Sequence, residues 1–341
     1  MVLSLLNLRP GYRVTADGDD ITETMRRRAA RVSVSDEDGV ESDTLEISLT
    51  DHEPLRRIAL PRTGAELEVW LGYLPMLENM GRYVVDEIEM LGPPDEMVIR
   101  ARSAAHEETE GGMVELQSQK TRSWEKGTTL GEMAETIARE HGLEAAVSET
   151  LAGNALPHVD QMQESDINLI TRVAGWYDGL AKPAGGRLVV VKRGEGKSTT
   201  GEDLPAVTLR PGDVTNWSVN LSRREPAGTV IAVWRDLDAA SDVEVSVGEG
   251  EPVRRLRNTY PDEDTADAAA RAEYERTRRM GGTVSMQLPG RTDLMAEAKL
   301  RLTGFREGVD REWLITRVSH SVDSGGYQCS LEAELPDGEG A

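Results

Sequence analysis

The residue types that most often carry reactions are present in this chain of 341 residues, but not in reactive arrangements. Gly194-Glu195-Gly196-Lys197-Ser198 follows a strand-like run and closes like a phosphate-binding loop. That loop needs a further glycine where Val191 stands, and a helix after Ser198. No helical periodicity follows, so no converging row of backbone N–H groups is expected to hold a phosphate. The histidines His52, His106, His141, His158 and His320 are scattered, without the close His/Cys spacing that zinc requires. His106-Glu107-Glu108 lacks the second histidine of a zinc-protease helix. No serine lies in a Gly-x-Ser-x-Gly elbow. With 61 acidic residues, some carboxylate pair suits almost any glycosidase scheme, so abundance points to none. Cys329, the one cysteine, falls on the apolar side of an alternating run and is expected to be a buried thiol rather than a nucleophile. No catalytic, cofactor-binding or metal-ligating residue is expected, and the chain reads as a non-enzyme.

The elements that would carry any site are mainly strands. Glu312 to Leu335 holds the clearest of them: Tyr327, Cys329, Leu331, Ala333 and Leu335 alternate with Gln328, Ser330, Glu332 and Glu334. Asp323-Ser324-Gly325-Gly326 supplies a turn back to Trp313–Ser319, which predicts a β-hairpin with His320 on the packed face beside Val318 and Val322. The same unit occurs earlier in the chain. Tyr83-Val84-Val85-Asp86-Glu87-Ile88-Glu89 has the residue classes of Trp313 to Ser319 in the same order. Leu67 to Tyr73 precedes the first copy and Leu300 to Phe305 the second, each closing on glycine plus an aromatic. Two matches in one order predict a duplicated β-domain. Tyr83, Trp313, His320 and Tyr327 are its structural candidates, as core or rim residues.

Arg31 to Thr50 reads as another hairpin around Asp36-Glu37-Asp38-Gly39, which lacks the ligand spacing of an EF-hand. The middle is different. Thr129-Leu130-Gly131-Glu132 is a capping box, and Leu130, Met133, Ala134, Ile137 and Ala138 share one helical face. A second helix opens at Ser165, and Arg187–Val191 is a short strand. Gly194 to Asp203 reads as a linker or exposed loop. Strands resume at Val214–Leu221, Gly228–Trp234 and Val243–Val247. A helix over 265–280 follows, with Asp264 and Asp267 at its start, Arg276, Arg278 and Arg279 at its end, and i,i+4 pairs Asp267–Arg271 and Glu275–Arg279.

Length allows two or three domains, and a single phenylalanine leaves the cores to aliphatic side chains. A net charge of −22 argues against wrapping nucleic acid, which needs lysine and arginine to displace counterions. Met1 to Leu8 has neither the basic start nor the cleavage site of a signal peptide, and no apolar run reaches the length of a membrane span. Synthesis in a bacterial cytoplasm, without secretion by signal peptide, is expected.

Ser123-Trp124, Thr129-Leu130-Gly131, Ile137-Ala138 and Leu143-Glu144-Ala145 come in an order that continues through Leu151-Ala152-Gly153, Pro157-His158-Val159-Asp160-Gln161 and Gln163-Glu164-Ser165-Asp166 to Thr171-Arg172-Val173-Ala174. With Ile99–Ala104 before and Trp313–Thr316 after, this resembles the late control protein D family, the baseplate hub of contractile phage tails. The related hub part of type VI secretion spike proteins is a close variant. The family's long basic insertion before the last helix is replaced here by Arg235 to Asn258, which is short and mixed in charge.

The resemblance implies an α+β, mainly β fold with two similar tail-tube-type β-barrels and a small α/β middle domain. The boundaries it suggests are 1–118 for the first barrel, 119–200 for the middle domain and 201–341 for the second barrel. It implies a homotrimer in the virion or in a phage-tail-like particle, with the central spike, the tail tube and other baseplate proteins as partners. DNA would be passing cargo, repelled by acidic walls, and no cofactor or membrane is involved. The segment near 124–160 also resembles a peptidoglycan-binding LysM module, so a wall-binding or wall-degrading tail component is the alternative reading.

Overall fold

A computed structural model describes residues 9–37, 43–51, 57–103, 116–184, 186–194, 196, 204–221, 227–279 and 281–336. The first part of the chain runs β1 (Arg9–Ala16), β2 (Asp19–Asp20), α1 (Thr22–Arg26), β3 (Arg31–Glu37), β4 (Thr44–Thr50), β5 (Glu66–Leu74), β6 (Met76–Leu91) and β7 (Glu96–Ser103). The middle holds β8 (Gln119–Trp124), α2 (Leu130–Glu140), β9 (Glu144–Val147), α3 (Glu149–Ala152), β10 (Val159–Ser165), α4 (Asp166–Gly175), β11 (Gly179–Ala184) and β12 (Arg187–Lys192). The last part holds β13 (Val207–Leu209), β14 (Asn216–Leu221), β15 (Thr229–Asp236), β16 (Ser241–Gly248), β17 (Val253–Tyr260), α5 (Glu263–Arg279), β18 (Gly282–Pro289), β19 (Lys299–Leu302), β20 (Glu312–Asp323) and β21 (Gly326–Glu334).

The expected hairpins form because their apolar residues alternate: β21 buries Tyr327, Cys329, Leu331 and Ala333 and turns the residues between them outward. The two ends of the chain then meet in one sheet of 13 strands. Its order is β14-β18-β21-β20-β3-β4-β7-β6-β5-β1-β2, with β19 on β20 and β13 on β19. The joint is an antiparallel ladder from Arg317 opposite Glu37 to Val322 opposite Val32. Arg31 reaches Asp323 at 2.8 Å, Arg317 reaches Glu37 at 3.2 Å, and the hydroxyls of Ser35 and Ser319 lie 2.8 Å apart. Val32, Val34, Leu45 and Ile47 therefore share one apolar cluster with Val318, Val322 and Leu331. The sequence reading gives each β-run its own core; the structure merges them, because the apolar faces of β3 and β20 coincide at this ladder.

The middle segment builds a second apolar cluster from α2, α4 and β12. Thr129 caps α2 as the sequence implies: its side chain accepts from the Glu132 N–H, and the Glu132 carboxylate accepts from the Thr129 N–H. β8 and β10 pair antiparallel on either side of α2 and α3, and β12 lies between β11 and β9. A third cluster lies under α5, where Ala266, Ala269 and Ala270 let the helix settle onto Val230 and Ala232 of β15. The Asp267–Arg271 pair forms at 2.6 Å. Asp36 and Glu37 belong to β3 and not to a turn; Asp38 and Gly39 lie outside the described residues. His52, His106 and most of Gly194 to Asp203 also lie outside them.

Candidate functional site

The structure brings His320 and Tyr327 together, with Cys329 as the third member. His320 Nδ1 lies 2.9 Å from the Tyr327 hydroxyl and 3.2 Å from Cys329 Sγ, and all three residues are buried. A cysteine beside a histidine is the raw material of a nucleophile, but the reactive form is a thiolate next to an imidazolium. Burial does the opposite here. It pushes the Cys329 thiol up to about 11 and lowers the His320 ring below its ordinary value, so both are neutral near pH 7. The trio is a hydrogen-bonded piece of core, with the Tyr73 ring 5.6 Å from that of Tyr327.

A second polar cluster was not apparent from the sequence. Asp166, at the start of α4, is completely buried. Its carboxylate accepts from Lys120 at 2.6 Å, Arg122 at 2.7 Å, His141 at 2.7 Å and Gln161 at 2.7 Å. Glu140 adds bonds to Lys120 and Arg122. Glu140, His141 and Asp166 lie close enough to share a metal ion. However, Lys120 and Arg122 already occupy the carboxylate oxygens, so the donor set suits an ion-pair network and not a cation site. Burial alone would raise the Asp166 carboxyl; the hydrogen bonds from His141, Lys120 and Gln161 and the charge of Arg122 outweigh it and hold the group at about 2.

The cluster fastens the start of α4 and the end of α2 to β8. Asp166→Asn, which leaves two cations short of their counter-charge, is expected to lower stability by about 3 kcal/mol in urea titrations at pH 7. Because the folded carboxyl titrates below its ordinary 3.8, its contribution is complete above that value and is lost as pH falls through about 2. The variant should therefore show a flatter stability profile than the parent across that acid range.

Tyr83 and Trp313 occupy the same place in two copies of one unit. Leu67 pairs with Tyr83, and Leu300 pairs with Trp313. Val85 lies opposite Ala101, and Ile315 opposite Ala333. The next residue is bulged in both copies, Asp86 in β6 and Thr316 in β20. The Val85 N–H donates to Ala65 and its carbonyl accepts from Gly64; Ile315 does the same with Ala298 and Glu297. Gly64 and Glu297 both have positive φ, at 82° and 65°. Even the anchoring of the aromatic is shared: Tyr83 donates to the Met80 carbonyl at 2.7 Å and Trp313 to the Val309 carbonyl at 3.1 Å.

A doubled β-unit thus runs through one sheet, and both polar clusters described are committed to packing. The 43 kDa tail protein of prophage MuSo2 from Shewanella oneidensis has the same fold, with a TM-score of 0.71 over 96% of this chain and 99% of that one at 15% identity. The chain belongs to the phage tail baseplate hub (GPD) family, whose model matches residues 47–326. It is 31% identical to the probable baseplate hub proteins of Escherichia phages 186 and P2, over 96% of this chain and 94% of each of theirs. The E. coli c3393 protein, a component of the type VI secretion system, shares the fold with a TM-score of 0.54 at 13% identity, over 98% of this chain and 76% of that one. The expected resemblance to a tail hub and to type VI secretion proteins is thereby borne out. No helix among the described residues is long and apolar enough to cross a membrane.

Proposed function

We propose that three copies of this chain close into a ring that joins the tail tube to the central spike, with other baseplate proteins around its rim. The observation that carries this is the register of the repeat. Leu67–Tyr83 and Leu300–Trp313, with the bulges at Asp86 and Thr316, make the two halves of one chain near-equivalent. Three chains then offer six similar units, which suits a six-fold tube on one face and a three-fold spike on the other. In this reading residues 1–118 and 201–341 curl as two tube-like barrels, and 119–200 is a middle domain with the apolar core of α2 and α4. The charge of −22 on each chain is tripled in the ring; where it lines the channel it keeps DNA from adhering.

Light scattering and native mass measurement of the purified protein test the ring. The expected particle has three times the 37.4 kDa chain mass, alone or mixed with its spike. A monomer in both samples would overturn the proposal.

A further inference from the structure

The joint between β20 and β3 is made inside one chain, and the repeat says what its counterpart must be. Ile88 lies opposite Ile99 as Val318 lies opposite Leu331, so β6 beyond the bulge corresponds to β20 beyond its own. Val34 pairs with Leu45, which pairs with Ala101; Val219 pairs with Val284, which pairs with Ala333. Strand β14 therefore corresponds to β3. In the chain, the far half of β20 is covered by β3, but the far half of β6 and the outer edge of β14 carry no strand among the described residues.

Both edges carry exposed apolar side chains among polar ones. Where the internal joint buries Val34, Val318 and His320, the matching edge positions are Val219 and Ile88, both half-buried, and Met90, 64% exposed; Leu221, 52% exposed, stands where the joint has Asp36. Leu91 beside them is 46% exposed. Soluble sheets guard an edge with charge or proline; on β6 the acidic Asp86, Glu87 and Glu89 are paired with Arg100 and Arg102, and Met90 and Leu91 are left exposed there as Leu221 is on β14. We propose that β6 from Ile88 to Leu91 pairs antiparallel with β14 of a second copy, extending the sheet from chain to chain. The internal ladder sets the register: Ile88 opposite Leu221, Glu89 opposite Asn220, Met90 opposite Val219 and Leu91 opposite Ser218. The occupant is a second copy because β14 is the counterpart of the strand that already fills this position inside the chain, and main-chain pairing at a bare edge supplies the affinity. This joint rests on the ring reading and adds the surface that closes it.

The pair Glu89 and Asn220 corresponds to Ser319 and Ser35, whose hydroxyls touch at 2.8 Å. Within one chain, β6 and β14 are separated by seven strand-to-strand steps, roughly 30 Å along the sheet, far beyond the span of a disulfide. The native Cys329 is buried and stays out of the exchange. A protein carrying both Glu89→Cys and Asn220→Cys is expected to run as covalent dimer and trimer on non-reducing gels after mild oxidation. Glu89→Cys with Ser218→Cys, two residues out of register, should link at least tenfold less. Met90→Asp, at an exposed position that matches buried His320, should keep the parent's melting temperature while losing the trimer at concentrations where the parent holds it. A trimer by mass in which Glu89→Cys/Asn220→Cys does not cross-link, or which Met90→Asp leaves intact, overturns this joint and leaves the ring standing. A protein that stays monomeric at every concentration and with its spike removes both.

Discussion

Trp313→Ala is expected to lower stability by about 3–5 kcal/mol, measured by urea unfolding at neutral pH. Trp313 has no exposed surface and is the largest of the fully buried side chains. It stands where β19 meets β20, and its ring edge packs within 3.2 Å of where a Cβ on Gly282 would sit. Alanine would leave a cavity that the flanking strands cannot close without breaking the Leu300–Trp313 register, and the Val309 carbonyl would keep only the Arg311 N–H of its two donors. Trp313→Phe separates the two contributions, since it keeps most of the volume and removes only the indole N–H. It should cost well under half as much. A loss below 1 kcal/mol for the alanine variant would contradict the buried position.

Arg279→Ala is the second large effect, at about 3 kcal/mol or more in the same measurement. Arg279 closes α5 with 1% of its side chain exposed. Its guanidinium holds Asp178 with two bonds of 2.9 and 2.7 Å, and its Nε lies 3.5 Å from Glu334 at the end of β21. One side chain thus ties the inserted helix to the middle segment and to the main sheet. Removing it leaves two carboxylates short of the cation they surround, which costs more than the bonds themselves contribute. The double variant Arg279→Met/Asp178→Asn, which removes both charges of the closer pair and keeps a residue type that tolerates the φ of 57° at position 178, should recover most of the loss. If both variants are equally destabilised, packing volume and not charge explains the site.

The legible parts of this fold are those written locally. Alternation at Tyr327–Leu335, the capping box at Thr129, the cap at Ser165 and the doubled pattern around Val85 and Ile315 each fit within a few residues, and each is present. Strand β1 escapes because Pro10 and Gly11 interrupt its pattern, although Tyr12 and Val14 are buried. The Asp166 cluster escapes because its members run from Lys120 to Asp166 in a chain where charged residues are everywhere. Arg279 reads as a helix-end charge complementing the dipole; its partner Asp178 lies 101 residues away. The meeting of β3 with β20 has no local signature at all, since nothing near Val32 names Val322 as its neighbour.

That meeting also governs when the molecule can be finished. Arg31 waits 292 residues for Asp323, so a ribosome must deliver almost the entire polypeptide before strand β3 gains its companion. Any product cut short upstream of Glu312 keeps a naked edge and cannot knit its two halves into one sheet. Completeness of translation is thereby written into the sheet itself, and a prematurely terminated chain lacks the strand that covers β3.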